Sequence, residues 1–110
     1  MKTDRELLEL AAKAAGYAVD CAFDDGPLIY GLEAGPDGPR EWNPLEGDGD
    51  AFRLAVVLGL EVNICSSFCK TICWHGRRDA CIEFHGNSNQ YMATRRAIVR
   101  AAAAIGEAMP

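Results

Sequence analysis

The amino-acid sequence predicts one α+β domain, residues 1–110, with a mostly antiparallel sheet of five to six strands and three helices packed on one face. Apolar residues recur at helical spacing near both ends of the chain, and alternating segments typical of strands lie between them. A short, almost wholly apolar segment interrupts the strands. With 110 residues, 49% of them hydrophobic and 25% charged, the chain suits a single core.

We expect the element order α-β-β-(β)-α-β-β-β-α. The first helix begins at Thr3-Asp4-Arg5-Glu6, which fits a capping box, and ends at Gly16. Strands are predicted over 17–23 and 28–33, before a loop rich in Gly and Pro. Trp42-Asn43-Pro44-Leu45 then forms a short strand or an ordered entry to the next helix, because Pro44 disfavours a helical Asn43.

The middle helix spans residues 52–58 and is closed by Gly59. Arg53 is the only charged residue between Ala51 and Leu60. A helix that is apolar nearly all round is usually buried, so we predict a central buried helix. The alternative is that this helix presents an apolar face to a partner.

Residues 60–85 alternate as strands, and the last helix begins near Asn89. Two hairpins are expected here: the strand around Val62 pairs with the strand around Ile72, and that strand pairs with the one around Ile82. If Ile72 and Trp74 face the core, a three-residue loop at 76–78 sets the register of the second hairpin. The same argument sets the register of the first hairpin. The predicted pairs are Trp74–Ala80, Cys73–Cys81 and Cys69–His85 in the second hairpin, and Val62–Ile72 and Cys65–Cys69 in the first. The apolar stripe of the last helix is Tyr91, Ile98, Ala102, Ile105 and Met109.

This register places cysteines and histidines together on the face of the sheet away from the core, and three interpretations remain open. The thiols have no role beyond packing. Alternatively, Cys73 and Cys81 form a cross-strand disulfide, since they lie directly opposite each other. The third interpretation is a zinc site, although no C-x-x-C spacing supports it and we predict neither metal nor other cofactor. Its ligands would be Cys69, Cys73, Cys81 and His85, or Cys65 in place of His85.

Charge is unevenly distributed along the chain. Residues 1–50 carry 12 acidic and 4 basic residues (net −8), and residues 51–110 carry 4 acidic and 7 basic residues (net +3). An acidic chain disfavours nucleic-acid binding and favours a basic protein surface. The acids expected in loops, where recognition residues concentrate, form the predicted partner-binding set: Asp24, Asp25, Asp37, Glu41, Glu46, Asp48 and Asp50.

Catalytic motifs are not found in the sequence. It has neither a phosphate-binding G-x-x-x-x-G-K-[ST] loop nor G-x-G-x-x-G, and Asp48-Gly49-Asp50 lacks the remaining ligands of a calcium loop. We therefore predict a non-enzymatic protein. We expect neither a signal peptide nor a membrane span, and hence a cytoplasmic location. The alternatives to a binding protein are a metal- or redox-responsive module and a homo-oligomer, such as a homodimer.

Segments that cover about a third of the chain resemble a group of small phage and prophage accessory proteins of unknown function, of the NinX type. They are residues 3–17, Trp42-Asn43-Pro44-Leu45 with residues 48–56, and residues 93–102. The cysteine-bearing strands depart from the family pattern, so the resemblance implies no family-wide metal site. It implies an accessory protein that acts in the bacterial cytoplasm by binding a host protein. One expectation is inhibition of a defence complex such as CRISPR–Cas.

Overall fold

The computed structural model describes residues 2–20, 28–30, 40–65, 70–76, 81–84 and 89–110. Within these ranges, three helices and six short strands alternate in the order α-β-β-β-α-β-β-β-α. The elements are α1 (Asp4–Ala15), β1 (Ala18–Asp20), β2 (Leu28–Tyr30), β3 (Arg40–Glu41), α2 (Asp48–Leu58), β4 (Glu61–Cys65), β5 (Lys70–Trp74), β6 (Cys81–Phe84) and α3 (Gln90–Ala108).

The strands form two separate antiparallel sheets, in the orders β1-β2-β3 and β4-β5-β6. The chain is α+β, but the prediction of one sheet of five to six strands is wrong. The prediction that three helices cover one face of the sheet is wrong as well. Helix α3 packs on β5 and β6, whereas α1 packs chiefly along α3. In the sequence, α2 lies between the strands of the first sheet and those of the second.

Helix α1 shows how local sequence fixes its two ends. The Thr3 hydroxyl accepts a hydrogen bond from the backbone N–H of Glu6 at 3.2 Å, which confirms the predicted N-cap. At the other end Gly16 takes a φ of 81°, a left-handed conformation that glycine adopts without steric cost. Leu7, Leu8 and Ala11 are buried against the rest of the core.

The contact between α1 and α3 is unusually close at Gly106. A Cβ atom at this position would overlap the backbone carbonyl oxygen of Leu10. The buried face of α3 is otherwise mostly alanine, so the predicted stripe is partly wrong: Tyr91 and Met109 are exposed. Small side chains permit this approach because they keep the helix backbone near its neighbours.

The second hairpin has the predicted register, with Cys73 opposite Cys81 and Ile72 opposite Ile82. Its faces are reversed, however. Thr71 and Cys73 are fully buried toward α3, whereas Ile72 and Trp74 are half-buried on the other face. The Thr71 hydroxyl lies 3.0 Å from that of Thr94 on α3, so its polar group is satisfied. The small side chains fit beneath the alanine-rich helix, where Ile and Trp would hold it away.

The first hairpin is shifted by one residue from the predicted register. Val62 lies opposite Cys73, not opposite Ile72, and Cys65 lies opposite Lys70. A shift of one residue moves every side chain to the other face of a sheet. Cys65 and Cys73 therefore lie on opposite faces, and the predicted single face of cysteines and histidines is wrong for this pair.

Candidate protein-binding groove

Helix α2 is buried on one face only. Ala51, Leu54 and Ala55 pack into the core, whereas Phe52 is 69% exposed and Val56 is 63% exposed. The prediction of a wholly buried central helix is therefore wrong. Residues 52 and 56 lie one turn apart, so they form a continuous apolar ridge. The structure favours the alternative in which α2 presents an apolar face.

Strand β4 presents apolar side chains beside this ridge. Val62 and Ile64 lie opposite Cys73 and Thr71, so they project from the α3 side of the sheet. They are nevertheless 37% and 52% exposed, because β4 is the edge strand and α3 does not cover it.

Together these elements enclose a groove of about 750 Å³, hereafter the α2–β4 groove. Buried Ala55 and Ile98 are part of its lining, and Thr94 and Arg95 of α3 also contribute. Its most exposed apolar side chains lie on three elements: Phe52 and Val56 on α2, Val62 and Ile64 on β4, and Tyr91 on α3.

The segment before α2 anchors one end of the groove. Trp42 is buried and meets the ring of Tyr17 edge-on, with 5.7 Å between the ring centroids. The Asn43 backbone N–H donates to the Asp50 carboxylate at 3.0 Å, and the Asn43 side-chain oxygen accepts from the N–H of Leu45 at 3.1 Å. The start of α2 is therefore held by side-chain to backbone bonds.

Arg95, on α3, binds the segment that precedes α2 and the first residue of α2. Its Nε donates to the carbonyl oxygen of Leu45 at 2.8 Å, and its Nη1 lies 2.6 Å from Asp48 Oδ1. Only 15% of the Arg95 side chain is exposed, so this pair is better shielded than most surface ion pairs. Arg95 thus sets the distance between the two helices that border the groove.

The other arginines of α3 also pair with acids from distant parts of the chain. Arg96 lies 3.2 Å from Asp4, and Arg100 lies 2.6 Å from Glu83. The Arg96–Asp4 and Arg95–Asp48 pairs each join a base from the second half of the sequence to an acid from the first half. The α3 arginines therefore hold α1, α2 and β6 to the helix.

The acids predicted to bind a partner differ in their surroundings. The Asp50 carboxylate accepts a hydrogen bond from the Asn43 backbone N–H and pairs with Arg53 at 2.8 Å. Asp48 pairs with Arg95, although the Asp48 side chain is 68% exposed. Glu46 is exposed just before α2. Glu41 lies in β3, where its side chain is not described. The remaining acids, Asp24, Asp25 and Asp37, lie outside the described residues, so their role stays a prediction.

The predicted zinc ligands are not brought together in the described part of the chain. Cys69 and His85 lie outside the described residues, and of Cys81 only the backbone pairing is described. Cys73 is fully buried against α3. Among the described residues, no three or more His, Cys, Asp or Glu side chains are arranged to hold a metal ion.

Sequence reasoning missed the residues that make the groove. The predicted register puts Val62 opposite the core-facing Ile72, and the predicted stripe of α3 includes Tyr91. One signal for the groove was available in the sequence: α2 carries more large apolar residues than one buried helix face requires.

Comparisons with protein-family models, with curated proteins and with solved structures find no match to this chain. Over the part of the chain that the structure describes, no helix combines the length and the apolar character needed to cross a membrane.

Proposed function

We propose that this chain is a non-enzymatic protein-binding domain and that the α2–β4 groove holds its partner. One observation carries the proposal: large apolar side chains from three elements converge on an open surface. Phe52, Val56 and Tyr91 are each more than 60% exposed, and Val62 and Ile64 are 37% and 52% exposed. Large apolar patches on the surface of a soluble monomer are often functional.

The charges beside the groove support a partner segment that is apolar with basic flanks. Glu46 is exposed just before α2, and Asp48 at the start of α2 is largely exposed although it pairs with Arg95. Lysine or arginine residues beside an apolar anchor would meet these carboxylates, which steer encounter and fix orientation. In the phage setting that the resemblance implies, the partner is a host protein with a basic surface.

The test compares capture of one defined partner by three forms of the chain. The partner is first identified with the native protein in bacterial lysate and then purified. Val56→Lys places a charge in the groove, whereas Met109→Lys places the same charge on an exposed apolar residue at the far end of α3. We expect Val56→Lys to weaken binding at least about tenfold and Met109→Lys to leave it unchanged, since desolvated apolar contacts dominate affinity.

Glu46→Lys tests the charge component separately. We expect weaker binding at low salt and a smaller dependence on salt, because exposed charges act within a Debye length of about 10 Å at 0.1 M. Equal binding by the native protein and Val56→Lys would refute the groove as the docking surface.

The register of the second hairpin supports one alternative, a redox-responsive module. Cys73 lies directly opposite Cys81, as a cross-strand disulfide requires. Peptide mapping by mass spectrometry without reductant tests it. A linked pair whose formation changes with the redox potential would support this alternative, and thiols that stay reduced under oxidant would refute it.

A further inference from the structure

We propose that a second copy of this chain competes with the partner for the α2–β4 groove, by pairing its β4 with β4 of the first copy. The inference rests on the proposed function, because it names what regulates access to the same surface. Self-association would hide the groove, and partner binding would require the monomer.

The outer edge of β4 is open in the part of the chain that the structure describes. Within its sheet β4 pairs only with β5, and its residues from Glu61 to Ile64 are all exposed. Such an edge presents unpaired backbone N–H and C=O groups, which are a template for another strand. Neither lysine nor proline, two of the usual protections of an edge, is found in Glu61–Cys65, and Glu61 is the one charged residue of the strand.

The β4 sequence is complementary to itself in one antiparallel register. With the twofold axis at Asn63, Val62 lies opposite Ile64 of the second copy, and this pair repeats by symmetry. Glu61 then lies opposite Cys65, and Asn63 opposite Asn63. The apolar pairs lie on the groove side of the sheet, and like charges do not face each other across the strands.

Apolar side chains are also available on this face. More than half of a standard protein interface is apolar. Phe52, Val56, Val62, Ile64 and Tyr91 are all at least 37% exposed and supply surface of this kind. Pairing of β4 with its copy brings the Phe52–Val56 ridge of each chain to the same face of one continuous sheet.

Asn63 allows the dimer to be tested without changing the groove. Its side chain shares a face with Ile72, not with Val62 and Ile64, and it is not part of the groove lining. Sedimentation equilibrium of the full chain, in reductant, measures dimer dissociation for the native protein and three variants. Asn63→Lys and Asn63→Glu each place like charges opposite each other, and Asn63→Thr is the neutral control.

We expect the native chain to show a concentration-dependent dimer. Asn63→Lys and Asn63→Glu each weaken it by up to about fivefold, since a cross-strand pair contributes up to about 1 kcal/mol. An equimolar mixture of the two variants restores association to within about twofold of native, because the lysine introduced in one copy then faces the glutamate introduced in the other. Asn63→Thr dimerises as the native chain does.

Two results would overturn the inference: a native chain that stays monomeric up to about 1 mM, or charge variants whose mixture does not restore association. The proposed function is judged separately. Asn63→Lys retains partner binding if the groove is the docking surface, whereas Val56→Lys loses it. A native chain that stays monomeric while Val56→Lys loses partner binding therefore refutes only this inference, and a native dimer with undiminished partner binding by Val56→Lys refutes the groove as the docking surface.

Discussion

The contact between α1 and α3 at Gly106 makes the Gly106→Ala substitution an informative test of the fold. On an exposed helical position, alanine in place of glycine stabilises a protein by about 1 kcal/mol. Here the added Cβ would overlap the Leu10 carbonyl oxygen and lie 2.8 Å from the carbonyl carbon. These are backbone atoms of a neighbouring helix, so no side-chain rotation relieves the overlap.

The expected size of the effect follows from these opposing contributions. Overpacking a core costs typically ~1–3 kcal/mol, and a backbone overlap places this site at the upper end. Subtracting about 1 kcal/mol for helix propensity leaves a net loss of about 2 kcal/mol. For a domain of this size, about 4 °C per kcal/mol predicts a Tm about 8 °C lower.

Urea denaturation and calorimetry measure the effect, with Ala104→Gly as the matched control. Ala104 is exposed on the same helix, so this reverse substitution tests propensity alone and should cost about 1 kcal/mol. Both exchanges should therefore destabilise, although they are chemically opposite. A Gly106→Ala protein as stable as the native chain would refute the close packing of the two helices.

Three further predictions concern the groove and its supports. Leu54→Ala should lower the free energy of unfolding by about 3 kcal/mol, whereas Val56→Ala should change it by less than about 0.5 kcal/mol; equal losses in urea denaturation would refute the one-sided burial of α2. Arg95→Lys should cost about 1 kcal/mol because lysine cannot reproduce the two-armed contact with Leu45 and Asp48, and full stability would show that this contact contributes little. Thr71→Val should cost about 1 kcal/mol, and the Thr71→Val/Thr94→Val double variant should cost less than the two single losses together; strict additivity would show that the hydroxyls do not interact.

Local sequence signals predicted the parts of the fold that depend on neighbours in the chain. The α1 N-cap at Thr3 and its end at Gly16 follow from residues within one turn. The pairing of Cys73 with Cys81 follows from a short loop between two alternating segments. Each of these features involves few residues and one dominant interaction.

The faces of the sheet could not be predicted because hydrophobicity and shape disagree there. Ile72 and Trp74 are more apolar than Thr71 and Cys73, so the alternation indicates the wrong inner face. The deciding factor is the small-residue surface of α3, which favours small side chains beneath it. Such a preference arises between elements distant in sequence, and periodicity within one strand does not contain it.

The groove could be predicted only as an alternative, for a related reason. The composition of α2 indicates apolar surroundings, but it does not distinguish the core of this molecule from the surface of another. The exposure of Phe52 and Val56 decides between the two, and it depends on how far α3 and β4 extend over α2.

The central place of α3 has a consequence for the order of events during synthesis. Helix α3 packs on α1, α2, β5 and β6, and it leaves the ribosome after all of them. Until residues 90–108 emerge, the helix against which α1, α2 and β5 all pack is missing from the folding chain. The nascent chain must therefore hold its apolar segments in a loosely ordered state, and its stable core forms in one late step that is dominated by contacts between distant residues.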